Sequence, residues 1–316
     1  DSNTAVGYNS GEDLTTGGNN TLYGFQAGKN ITTGIKNIIL GSNAGSNLTT
    51  HSNSIILGAD VYGNNSNEII IGRETHTTLW VGDFIYATTS TRNTAVGNDA
   101  GNTIRADGSH PETDTTAIGH DALKALDGGV QNTSVGSNSG EDVTSGDDNT
   151  FTGYFAGGNV TTGSDNTAFG SGALKAGTDA HSNVAIGYET LNAGTAIYRN
   201  TAVGFRALKA NNNVDNVVIG YQAMDTGTGA NSTVLGMNAL RGSTGNNNVA
   251  IGKESSNAMT SGAGNTAVGT ESLMANTTAD SNTAVGYQSL RANTTGASNI
   301  AVGNNVLDAN TTGSLN

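Results

Sequence analysis

Asn282-Thr283-Ala284-Val285-Gly286-Tyr287-Gln288-Ser289-Leu290 is one copy of a motif that recurs along the chain, and its period decides the fold. One glycine closes each copy: Gly7, Gly24, Gly41, Gly58, Gly72, Gly97, Gly119, Gly136, Gly153, Gly170, Gly187, Gly204, Gly220, Gly236, Gly252, Gly269, Gly286 and Gly303. Eleven of the seventeen intervals are 17 residues, three are 16, one is 14, and two are longer, 25 and 22. Self-similarity at so short and steady a period is the signature of stacked coils, each too small to bury its own apolar face.

The third residue before the glycine is Thr, Ile or Val in all eighteen copies. β-branching at every copy predicts a short strand. Side chains alternate across a strand, so Thr4 and Val6 face one way and Ala5 the other. The expectation is that Thr and Val line the coil and that the Ala face packs closely on a neighbouring chain. Gly7, Gly24, Gly204 and Gly286 are then structural turns, where a Cβ would be costly. Four residues before the glycine, Asn recurs in fourteen copies. Asn3, Asn20, Asn200 and Asn282 therefore belong to a ladder of amides stacked from coil to coil.

After the glycine the copies divide into two types. Gly11 is followed three residues on by Leu14, Gly28 by Ile31 and Gly157 by Val160, whereas Leu208, Leu273 and Leu290 stand at the glycine position itself. One aliphatic fills one core slot by two routes, so Leu14 and Leu208 are predicted to occupy equivalent space. A polar turn such as Thr15-Thr16-Gly17 or Thr161-Thr162-Gly163 leads to the next Asn. There is no Asn-Gly pair, and Asp-Gly occurs only at Asp107 and Asp127, so the favoured hairpin turns are missing. The fold class is all-β: a parallel β-solenoid, or β-roll, of about eighteen coils, rising ~4.8 Å per coil for roughly 85 Å.

Composition agrees with this. Of 316 residues 46 are glycine, one is proline, none is cysteine, and only 34% are hydrophobic, so apolar groups must be buried economically or shared between chains. Thirteen basic against twenty-six acidic residues give a net charge of -13, which disfavours nucleic acid and anionic membranes as partners. No run of eighteen apolar residues predicts membrane insertion. The chain opens and closes within a repeat, at Asp1 and Asn316, and is expected to be a segment of something longer. A single-chain coil of three hexads would need aliphatic groups where Glu12, Gly18 and Lys124 stand. The shortage is solved by sharing a core about a threefold axis, and the chain's first partner is expected to be itself, as a homotrimer.

The motif at residues 282–290 and its copies resembles the repeats of phage tail fibres that carry an endosialidase-type C-terminal chaperone domain. More distantly it is similar to the YadA-like heads of trimeric autotransporter adhesins. Asn67-Glu68-Ile69-Ile70-Ile71-Gly72, followed by Thr75-His76-Thr77, carries the same resemblance, and the 14-residue interval before Gly72 looks like the shorter adhesin-head period. The resemblance implies a trimeric extracellular fibre, of a virion tail or a bacterial cell surface, that attaches to a cell-surface glycan or other host receptor.

Two interruptions divide the solenoid into residues 1–72, 73–92 and 93–316. The first holds Trp80, Phe84 and Tyr86 and reads as a plug or strand exchange, or as an aromatic platform for carbohydrate. The second, an insertion at about 103–115, holds the one proline, Pro111, with Arg105, His110 and Glu112, and loops are where recognition concentrates. Trp80, Phe84, Tyr86, Arg105, His110 and Glu112 are the candidate recognition residues. His51, His76, His110, His120 and His181 lack metal-ligand spacing, and no nucleophile elbow or phosphate loop is present, so neither metal, cofactor nor catalytic residue is predicted. Two other functions are weighed. An ice-binding solenoid would use the Thr rows, which Ile38, Ile55 and Val184 interrupt; a hexapeptide-repeat acyltransferase lacks its hexads.

Overall fold

The computed structural model describes residues 2–63, 65–72, 93–102, 114–210 and 214–316. The chain divides into two compact units, Asp1–Phe84 and Ile85–Asn316. The first carries a parallel sheet of five three-residue strands, Thr4–Val6, Thr21–Tyr23, Ile38–Leu40, Ile55–Leu57 and Ile69–Ile71, stacked in chain order. The second carries a parallel sheet of thirteen, from Thr94–Val96 to Ile300–Val302. No helix occurs among the described residues. The chain is thus an all-β parallel solenoid of about sixteen turns, somewhat fewer than the count of anchoring glycines, because each ladder has one pairing fewer than it has strands.

Register is uniform: Thr201 pairs with Val217, Ala202 with Val218 and Val203 with Ile219, so each column of the repeat lies over itself. The backbone is also bonded from coil to coil outside the strands. The amide of Gly28 donates to Ala44 O at 2.8 Å and that of Gln26 to Tyr8 O at 2.8 Å. Each coil contacts its neighbours above and below, the economy that a chain with few apolar residues requires.

The two strand faces are the reverse of the sequence expectation. The middle residue of the strand, whether Ala202, Leu22 or Phe151, points into its own coil and is buried, while the flanking Thr, Val or Ile point outward. The reason lies across the coil. Where the middle residue is Ala202, Ala267 or Ala284, Leu208, Leu273 or Leu290 comes in from the far side and fills the interior. Where it is Leu22 or Phe151, the far position is glycine: a Cβ at Gly157 would meet the Phe151 ring at 2.7 Å, and one at Gly28 would meet Leu22 Cδ2 at 2.9 Å. Ala is small here to leave room inside the coil, not to admit another chain.

The two routes to one core slot have a common backbone. Gly28 has φ +56° and Leu208 φ +53°, so the position is left-handed in both types. Ile31 Cδ1 lies 3.0 Å from where a Gly28 Cβ would stand, which puts the later aliphatic in the space that Leu occupies by the direct route. Leu208 is buried, and Leu14 packs against the core cluster of the first unit.

Candidate functional site

The anchoring glycines and the Asn column build the frame on which any site must sit. Gly204 has φ +133°, a region that L side chains rarely adopt, and a Cβ there would stand 2.5 Å from Gly220 O. Gly7, Gly24 and Gly286 repeat this, with φ between +131° and +140° and a carbonyl 2.2–2.4 Å from the hypothetical Cβ. Conformation and space both demand glycine.

Asn20 shows how the ladder is wired. Its backbone N–H and its Nδ2 both donate to Asn3 Oδ1, at 2.9 and 3.0 Å, and Nδ2 also donates across the coil to Gly34 O at 2.9 Å. Asn282 does the same with Asn265 Oδ1 and Gly296 O. Asn200 accepts at Oδ1 from the backbone N–H and Nδ2 of Asn216, at 3.1 and 3.2 Å. One side chain thus ties the coil before it, the coil after it and the far wall, which satisfies a buried amide completely. At Ser232 the ladder narrows: its hydroxyl accepts from Asn248 N–H at 3.2 Å.

Outside this frame lie two surface columns and a polar turn side. The residue before the anchoring glycine points out and is aliphatic or aromatic in every copy except Thr152. Phe169 in this column is 58% exposed and Val302 66%. The residue after the glycine adds rings stacked along the ladder, Tyr8 on Phe25 at 5.5 Å and Tyr188, Phe205 and Tyr221 at 5.4 and 5.2 Å. Sequence reasoning missed this face although the signal was present, because a strand apolar on both sides shows no contrast from which to tell inside from outside.

The turn side is polar. Charges there pair diagonally between coils, Lys209 with Glu189 at 2.6 Å and Arg291 with Glu271 at 3.1 Å, and Lys175 stands 4.7 Å over the Phe155 ring in the same relation. The Lys209 ammonium holds the Glu189 carboxyl below the usual carboxylate range. Thr277 donates its hydroxyl to Thr294 O and Thr294 to Thr311 O, a column of identical bonds.

In two successive coils the turn gives way to strands Asp179–His181 and Ala196–Tyr198, which pair in parallel and bury Ala180 and Ile197. Outward from them, Asp179 accepts from the Tyr198 hydroxyl and meets His181 Nε2 at 3.0 Å. Ser164 N–H donates to His181 Nδ1 at 3.2 Å, so the proton of the neutral ring sits on Nε2. Arg199 forks onto Asp215 at 2.7 and 3.0 Å. The Tyr198 hydroxyl, then His181, holds the Asp179 carboxyl down, and Arg199 does so for Asp215.

The six candidate recognition residues, Trp80, Phe84, Tyr86, Arg105, His110 and Glu112, lie outside the described residues. Among the described residues no three His, Cys, Asp or Glu side chains come together to hold a metal ion, and no helix is long and apolar enough to cross a membrane. No family model matches the chain, and no curated protein matches it significantly.

Proposed function

We propose that this chain is a structural and adhesive segment of an extracellular fibre, of a phage tail or a bacterial surface, working as a homotrimer. The observation that carries the reading is the uninterrupted in-register ladder. Thirteen strands, one hydrogen-bonded column after another, give a unit whose strands share one register and whose coils are tied by buried amides. Such a unit supplies length and stiffness. The chemistry of its surface is that of binding and packing: stacked rings, a largely apolar column and paired charges. Attachment to a cell-surface glycan or other host receptor is assigned to the non-repeating stretches that hold Trp80 and His110.

Native mass measurement tests the assembly: the expected value is three times the 31.8 kDa of one copy. Beads coated with the chain test adhesion, through retention on glycan arrays or on bacterial cells. A single-copy mass together with no retention on any cell or glycan would overturn the proposal.

A further inference from the structure

We infer that the outward face of the thirteen-strand ladder, centred on the residue before each anchoring glycine, is the surface on which two further copies of this chain pack in parallel. The inference rests on the fibre reading above and adds where the copies meet. Through this ladder the centre column runs Val96, Ile118, Val135, Thr152 and on to Val302, and neither it nor the outward Thr, Val and Ile column beside it contains a charged residue. Ile219 is 39% and Leu235 46% exposed, in a chain that spends its few apolar groups sparingly.

Size points the same way. Thirteen strands ~4.8 Å apart, each presenting about four residues at ~3.3 Å, make a face of roughly 750 Å². Two partners share that face, so each contact takes about half of it, roughly 375 Å², and the whole approaches the ~800 Å² that a stable contact buries on each side.

Pitch selects the partner. Apolar groups repeated once per coil interdigitate along the whole face only with a surface of the same repeat, and a second copy has that repeat by construction. Rotation about an axis parallel to the ladder brings each coil of one copy beside the same coil of the next and closes the assembly. The ring stack Tyr188, Phe205 and Tyr221 then meets its own counterparts at the edge of the contact. Lys253, a charge in the ring column, reaches that edge already paired with Glu254 at 3.6 Å.

The test compares the full chain with a double variant, Ile219→Arg with Leu235→Arg, and with Thr278→Arg on the polar turn side. The side chains of 219 and 235 point out of the coil, so the strand signal in circular dichroism should persist. The double variant is expected to run as a single copy in sedimentation, with self-association weakened roughly 100-fold or more, while Thr278→Arg stays assembled. If the double variant loses its fold, Tyr221→Lys, at a ring 50% exposed, replaces it and must still weaken assembly. A folded variant that remains trimeric overturns the assignment of the face and leaves the fibre reading standing. A wild-type chain of single-copy mass removes the face assignment together with the homotrimer of the fibre reading, and leaves adhesion to the retention test.

Discussion

At the residue scale, the left-handed position held by Leu208 four residues after Gly204, and by its counterparts in other coils, reverses an ordinary rule of substitution. Leu208 sits there with φ +53°, as do Leu273 and Leu290 at +50°, while Gly28 and Gly157 hold the same conformation without strain. An L residue in this region gives up ~1–2 kcal/mol, and a buried Leu returns ~1.5–3 kcal/mol, so Leu wins by a narrow margin. Leu208→Ala forfeits the burial and keeps the strain; Leu208→Gly forfeits the burial and releases it. Glycine is therefore expected to be the milder replacement by about 1 kcal/mol, read as the higher urea midpoint of the two, where a helix or strand interior would give the opposite order. Gly204→Ala belongs to the other kind of glycine, at φ +133° with Gly220 O 2.5 Å from the new Cβ, and should cost at least ~2–3 kcal/mol. If Leu208→Ala proves the more stable of its pair, position 208 does not have the backbone described.

At the scale of elements, the small second sheet is expected to respond to acid. Asp179 accepts from Tyr198 and His181, and Asp215 holds Arg199, so both carboxyls have folded-state pKa values below the unfolded value of about 3.9. Groups depressed in this way contribute stability above that value and lose it as pH falls through the folded pKa. Both are at the surface, and the effect is local and small. Protection of the amides that join these strands, Asp179 to Thr195 O and Arg199 to His181 O, is expected to fall below about pH 4 while the Val184 and Thr201 amides of the main ladder stay protected. Combined Asp179→Asn and Asp215→Asn substitution should remove the difference; equal loss in both sheets would refute it. This element also shows where the sequence could be read and where it could not. The anchoring glycine and the Asn column were legible because a coil stacked on itself repeats the same residue wherever the geometry is most demanding. The second sheet was not, because Thr178 to Ser182 lacks the Thr-Thr-Gly turn and offers nothing periodic in its place. The strand faces were read backwards for a related reason: Ala202 and Val203 are both apolar, and only the position of Leu208 across the coil tells which one is inside.

At the scale of the whole molecule, charge and apolar surface are separated, and this sets how assembly responds to salt. Each copy carries a net charge of -13, yet Glu189, Lys209, Glu271 and Arg291 pair within the chain on the turn side, and the outward strand columns carry no charge. Copies that meet through those columns gain apolar burial and oppose one another through long-range repulsion. Salt weakens the second far more than the first, since the screening length shortens from ~30 Å at 0.01 M to ~10 Å at 0.1 M and ~3 Å at 1 M. Sulfate in addition strengthens apolar burial. Self-association is therefore expected to tighten several-fold as ionic strength rises from about 0.02 to 0.5 M, and further when sulfate replaces chloride, as read from sedimentation at graded protein concentration. A contact made of ion pairs has the opposite slope. Assembly that loosens with added chloride would place charged turn residues between the copies, and the aliphatic column before the glycines would then need a different partner.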